Sequence, residues 1–370
     1  MSKRPTPSNP YVLAPKQQRQ NETRTLQKRP HHATLHRASS SSSSLPHEPT
    51  LPVKPTTARE LLRLASTFEE PYVVNAIPSV VAEVLKRRHV CSVSGQAGCG
   101  KSNLLISSSV HQLLNKYLSS SAPSCPSVVY VTLGMEDSNG VPKRLKDIAL
   151  GVMDKAVDDL GLDEIIQRYN RNPSTSSKIT SLDKVEVVEE IVSEAVLKKF
   201  MVKKLENTEE FEAALEINGD GVGQGNENRN RNRNGMTETL QEFLLRLSSE
   251  SMPCSLLCLD SIAGIYRKSY DDSQTQNTSF PVQTFFQISA FLRSLDLPVL
   301  VANQSVGNPD KGERECFGLS YQFCVDGRLE LARHQGEKWI RWLRVKCFPN
   351  VKDVTMRFEV GKEGMIELTT

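Results

Sequence analysis

The chain has 370 residues, 38 % of them hydrophobic and 24 % charged, with a formal net charge of +3. That length accommodates one large α/β domain or two smaller ones, and the composition is that of an ordinary globular protein with polar additions. The small net charge implies little by itself but hides an uneven distribution. Residues 1–37 carry eight Lys and Arg against one acid, residues 151–250 thirteen against twenty, and residues 328–362 nine against four. A basic tail and a basic C-terminal surface are compatible with nucleic acid at either end; solvated surface accounts for the acidic middle.

Residues 1–55, rich in Pro, Ser, Gln and Arg with a serine run from Ser39 to Ser44, hold too little apolar surface to offset the entropy of ordering, and a disordered tail is expected. The basic pairs Lys3-Arg4 and Lys28-Arg29 fit either a nuclear import signal or plain solvated charge. Order is expected from about Thr56, where Thr57-Ala58-Arg59-Glu60 resembles a capping box opening a short helix. His89 to Val93 reads as a buried strand. It runs into Gly95-Gln96-Ala97-Gly98-Cys99-Gly100-Lys101-Ser102, which fits the phosphate-binding pattern G-x-x-x-x-G-K-[ST]. Glycines there let successive backbone N–H groups turn inward around an anion. Lys101 is expected to neutralise the β- and γ-phosphates of ATP and the Ser102 hydroxyl to ligate Mg²⁺. Leu104, Leu105, Val110, Leu113 and Leu114 suit a helix leaving the loop, whose positive dipole end adds to the site.

A second buried strand is expected over Ser127–Thr132 and a helix from Pro142 with Leu145, Ile148 and Val152 inward. Residues 170–197 read as loop then helix, and Phe200-Met201-Val202 opens a third strand. Asn207 with Glu210 caps a helix containing Phe211, Ala214 and Leu215. Residues 218–235 are Gly/Asn/Arg repeats, read as a flexible insertion. Leu240, Phe243, Leu244 and Leu247 have helical spacing before a fourth strand, Ser255–Asp260. Phe285 to Leu295 gives another helix and Val299–Ala302 a fifth strand; the remainder reads as further strands, antiparallel at an edge. Strands alternating with helices imply a mostly parallel sheet covered on both faces. The eight cysteines show no metal spacing, and Cys91, Cys258 and Cys347 sit in apolar runs as reduced thiols. No apolar run reaches the roughly 20 residues that span a bilayer, and the N-terminus has no apolar signal core; an intracellular soluble protein with no membrane partner is expected.

Three further residues carry candidate chemistry. Asp260, closing an apolar strand, is read as the second Mg²⁺ carboxylate, against the alternative of an ordinary turn-opening Asp. Glu136, beyond the second strand, is either the base that activates water or a solvated loop carboxylate. Gln304, just past the fifth strand, is positioned to hydrogen-bond a γ-phosphate and report its loss.

The succession Gly95–Ser102, Tyr130-Val131 with Glu136-Asp137, Leu257-Cys258-Leu259-Asp260-Ser261 and Val299 to Gln304 resembles the ATPase core of RecA-like recombinases. Lys143-Arg144-Leu145, the run Asp260 to Arg267, and Gly318-Leu319-Ser320-Tyr321 followed by Arg328-Leu329 bring it closest to eukaryotic recombinase paralogues of the X-ray repair cross-complementing three type. The resemblance covers about residues 56–369, interrupted by 218–235. It implies a RecA-like P-loop fold, ATP and Mg²⁺, and a nuclear accessory role in homologous-recombination repair of double-strand breaks. The implied partners are single-stranded DNA, another recombinase paralogue subunit and the strand-exchange recombinase filament. It further implies that about Gly264–Phe280 and Ser305–Phe317 are DNA-facing loops with Arg267, Lys268, Lys311 and Arg314 as cations, and Tyr266 or Tyr270 as stacking rings; exposed loop residues of no such role are the alternative. Leu133-Gly134 are an insertion relative to the family's acidic turn, and the compact N-terminal helical domain of the strand-exchange enzymes is missing, which points to an accessory paralogue. Two other readings stand beside this one: a scaffold subunit holding ATP with little turnover, and a small-molecule kinase using the same loop.

Overall fold

The computed structural model describes residues 73–118, 126–134, 140–171, 178–180, 183–217, 238–267, 282–306, 314–333, 340–346 and 354–368, all within the unit Ser66–Thr370. The expected tail over 1–55, the capping box expected at Thr57 to Glu60, the 218–235 repeats and Cys347 lie outside the described residues. A short helix α1 (Ser79–Leu85) precedes β1 (Val90–Gly95), α2 (Lys101–Leu118), β2 (Ser127–Leu133) and α3 (Gly140–Leu160). Then come α4 (Leu162–Arg171), α5 (Lys184–Ala195), β3 (Phe200–Leu205), α6 (Thr208–Ala214), α7 (Leu240–Ser249) and β4 (Cys254–Asp260). The chain continues through α8 (Val282–Ser294), β5 (Val299–Val306), β6 (Arg314–Glu315), α9 (Gly318–Gln322) and β7 (Gly327–Arg333). It closes with β8 (Ile340–Lys346), β9 (Val354–Gly361) and β10 (Gly364–Leu368).

The strands form one mixed sheet in the order β10-β9-β8-β7-β1-β5-β4-β2-β3, with β6 paired to the end of β5. From β3 across to β7 every neighbouring pair is parallel; β7 to β10 form an antiparallel meander at the other end. Both faces of β1 and β2 are buried along their whole length, as parallel strands joined by crossover helices must be. Alternation splits the strand residues between two cores. Cys91, Val93, Tyr130, Cys258, Leu300 and Leu331 face α2 to α5. Val90, Val131, Leu257, Leu259 and Val301 face α6, α7 and α8.

Helix α2 lies over the centre of the sheet and buries Leu104, Leu105, Val110, Leu113 and Leu114. Three consecutive serines, Ser107 to Ser109, are also buried there; their small side chains allow close approach, and Ser109 Oγ bonds back to the Leu105 carbonyl at 2.8 Å. Cys91 and Cys258 are buried free thiols, both pushed up in pKa by burial. Among the described residues no helix is long and apolar enough to cross a membrane.

Some elements differ from the sequence reading. Helix α3 is followed across Gly161 (φ +87°) by α4, a separate helix over residues to which the sequence reading assigned no element before the loop expected from 170; Ile165 and Tyr169, four apart, are its buried contacts. Strand β5 runs on to Val306, four residues past Ala302. The cap at Asn207 exists, its side chain accepting from the Glu210 N–H, but Glu210 reaches the N–H of Glu206.

His111, buried on α2 with Nδ1 3.1 Å from Asn115 Nδ2, has its pKa lowered from 6.5 to about 4, chiefly by burial, with Lys86 adding to the shift and a backbone contact at Val74 opposing it. A depressed folded-state value means that its contribution is whole above pH 6.5 and is lost as pH falls through about 4. The melting temperature of the protein is expected to decline more steeply between those values than that of His111→Gln. The difference corresponds to at most about 3 kcal/mol, and parallel pH profiles of the two proteins would contradict it.

Candidate functional site

Because β1, β5, β4 and β2 are parallel, their carboxyl ends share one sheet edge. Gly95 is level with Gln304, and Thr132 with Asp260. Ligands of parallel α/β sheets gather outside that edge. Glycine at position 95 is dictated by space: a Cβ there would lie 2.3 Å from the Leu331 carbonyl oxygen and 2.5 Å from Cys99 Sγ. Gly98 (φ +72°) and Gly100 (φ +106°) adopt backbone conformations that L side chains rarely take. The Cys99 N–H donates to the Gln96 carbonyl at 3.3 Å, closing the loop, and the Leu104 N–H bonds to Gly100 O at 2.9 Å as α2 begins. Lys101 Nζ curls back and donates to the carbonyls of Gly95 and Gln96, each at 2.9 Å. Ser102 is exposed at the first turn.

Asp260 ends β4 and is only 3 % exposed. Tyr130, fully buried on β2, donates its hydroxyl to Asp260 Oδ2 at 2.5 Å, leaving Oδ1 outside that bond. A P-loop Mg²⁺ retains waters and phosphate oxygens and takes few protein ligands. The exposed Ser102 hydroxyl and the anchored Asp260 carboxylate fit such a donor set, which needs no carboxylate cage. Among the described residues no group of three or more His, Cys, Asp or Glu is placed to hold a metal alone.

Gln304 lies within β5, not just beyond it, because β1 pairs with the strand as far as Gly95 opposite Gln304 and β6 pairs with Ser305 and Val306 beyond. The Cys316 N–H donates to Gln304 O at 2.8 Å, while fully buried Asn303 donates Nδ2 to Cys316 O at 3.1 Å and accepts the Gln304 N–H at 2.8 Å. The Gln304 side-chain oxygen accepts from Arg267 Nη1 at 3.1 Å. Arg267, exposed at the end of the helical stretch 262–267, is thereby brought to the same edge.

Tyr266 is no stacking platform. It is 2 % exposed, donates to Glu212 Oε1 at 2.9 Å and packs edge-on against Phe211 and Phe285; residues 264–267, expected in a loop, are helical and turn this ring inward. Arg314 is the first residue of β6, with only its backbone described. Glu136, Lys268, Tyr270 and Lys311 lie outside the described residues. Arg144 is committed to structure: it donates to Asn103 Oδ1 at 3.0 Å and to the Gly361 carbonyl at 3.1 Å.

Sequence reasoning gave no role to Tyr130, Asn303 or Arg333. A tyrosine inside a strand buried on both faces needs a hydroxyl partner, a signal that pointed to a neighbouring strand end. Beside the loop opens a cleft of about 1000 Å³ whose lining includes Gly95, Glu315, Arg328, Glu330 and Trp342. Buried Glu315 bonds to the Ser92 hydroxyl on β1. Burial raises its pKa, opposed by Ser92 and by the charge of Arg328.

Searched against protein-family models and against curated proteins, the chain matches none.

Tyr130→Phe removes the hydroxyl held against Asp260 and leaves a buried carboxylate short of that donor. Denaturant unfolding is expected to give a loss of about 1–3 kcal/mol, with Tyr130→Phe/Asp260→Asn losing less than the sum of the two single variants. Additive losses would mean that the two side chains do not interact.

Proposed function

We propose that this chain is a RecA-like ATPase subunit that binds ATP with Mg²⁺ and acts as an accessory recombinase paralogue in homologous-recombination DNA repair. The observation that carries the reading is the meeting of four features on the carboxyl edge of parallel strands: the glycine loop with Lys101, the Ser102 hydroxyl at the helix start, the anchored Asp260 and the amide of Gln304. In this reading Lys101 exchanges its loop carbonyls for the phosphates, and Ser102 and Asp260 would hold Mg²⁺, which would supply neutralisation of the phosphate charge. Gln304 hydrogen-bonds the γ-phosphate, and Glu136 accepts the proton of the attacking water.

The bond from Arg267 to Gln304 favours a DNA-responsive enzyme over an inert nucleotide scaffold. A cation at the head of one expected DNA loop touches the residue expected to sense the phosphate. Single-stranded DNA is then held by Arg267, Lys268, Lys311 and Arg314 through its backbone, without base-edge readout. The heteromeric partner subunit and the recombinase filament follow from the resemblance alone.

The test is ATP hydrolysis by the protein purified with its copurifying partners, with and without single-stranded DNA. DNA-stimulated turnover is expected, and Glu136→Gln should retain ATP binding while losing most of it. DNA binding should weaken steeply with salt through counterion release, and Arg267→Ala/Lys268→Ala should flatten that slope on every sequence tried. Phosphoryl transfer to a small hydroxyl acceptor in place of hydrolysis would make the protein a kinase instead.

A further inference from the structure

Three consecutive carbonyls of the phosphate loop are each held by a cation. Lys101 takes those of Gly95 and Gln96, and Arg333 Nη2 donates to that of Ala97 at 3.2 Å. The sheet explains how Arg333 arrives there. Strand β7 lies parallel to β1 with Leu331 level with Gly95. Where β1 turns away into the loop, β7 continues for two more residues. Leu329 and Leu331 point into the α2 core, so Arg333, two further on, emerges on that face beside the loop. The fit is close: a Cβ on Gly98 would lie 2.2 Å from Arg333 Nη2. Across the meander its partner on β8 is Arg341, so a like charge rather than a carboxylate faces it.

We propose that Arg333 is a positioning residue for the anion cradle, fixing the Ala97–Gly98 peptide so that the Gly98 N–H faces the bound phosphates. The physical reason is the planarity of a trans peptide, which sets C=O and the following N–H on opposite sides. A cation on the Ala97 carbonyl thus aims the next N–H inward, toward the concavity that binds an anion. The inference rests on the ATP reading and adds to it a division of labour. Lys101 leaves its two carbonyls when phosphate arrives, whereas Arg333 keeps the third and holds the loop in shape throughout. The guanidinium fork suits this static task, since a single donor occupies the carbonyl and the plane stays oriented.

The experiment uses the full chain and has one readout without nucleotide and one with it. In the nucleotide-free protein, amide hydrogen exchange across residues 95–102 is expected to speed up in Arg333→Ala and to return toward the parent rate in Arg333→Lys. Affinities for pyrophosphate and ATP are expected to fall roughly three- to tenfold in Arg333→Ala and to recover in Arg333→Lys, with no change in melting temperature because the side chain is exposed. Unchanged exchange and unchanged affinity in Arg333→Ala would overturn the proposal. So would a loss that comes with a lower melting temperature and resists rescue by lysine. If the parent binds neither ligand while its loop exchange still responds to Arg333, the ATP reading fails and the fixing of the loop stands.

Discussion

In the proposed reading the Gly95–Ser102 loop holds an anion, which requires its carbonyls to be kept turned away from that anion. The carbonyls of Gly95, Gln96 and Ala97 are each engaged by Lys101 or Arg333. Both cations arrive by sheet and helix geometry: one starts α2, the other ends β7. Gly95 itself sits so close to the Leu331 carbonyl that no side chain fits, which locks the loop's first residue to the neighbouring strand. The loop is thus clamped at its start by β7 and at its end by the first bonds of α2.

The carboxylate side of the site follows a similar logic with a different currency. Asp260 is nearly buried, and a buried charge is costly unless it is hydrogen-bonded. Tyr130 meets that need from the adjacent strand, because parallel pairing sets Thr132 level with Asp260 and Tyr130, two residues earlier, on the same face of β2. On the far side, β6 folds back on β5 and ties Asn303, Gln304 and Cys316 together. Arg314 and Glu315 are therefore paired with the strand that carries Gln304, and Glu315 is bonded to Ser92 of β1. Loop, carboxylate and amide are all set by strand register rather than by their own local sequence.

Strands with long apolar runs were legible from the sequence: Val90–Val93, Ser127–Thr132, Ser255–Asp260 and Val299–Ala302 all lie in parallel strands. The loop motif placed its own helix, and the meander at the edge followed from the short alternating segments after Arg328. What stayed hidden depended on tertiary pairing. Asn303, Gln304 and Ser305 carry no strand signal, yet pairing with β1 (Ser94 and Gly95) and with β6 (Glu315) draws them into β5. Helix α4 is the exception: Leu162, Ile165, Ile166 and Tyr169 recur at helical spacing and pack on the core, a signal the sequence carried and the reading passed over. Tyr266 reads as an exposed ring next to Arg267 until its helical turn swings it onto Phe211 and Glu212. Arg333 looks like any cation ending a strand; only the parallel register of β7 with β1 brings it to the loop.

The central claim is that Gly95–Ser102 is a phosphate cradle with Lys101 as its mobile counter-charge, and nucleotide titration of folded Lys101→Ala addresses it most directly. An unchanged melting temperature without nucleotide and an ATP affinity reduced at least tenfold, equivalent to about 1.4 kcal/mol, are expected of that variant. ATP binding by that variant at the parent's affinity would contradict the claim.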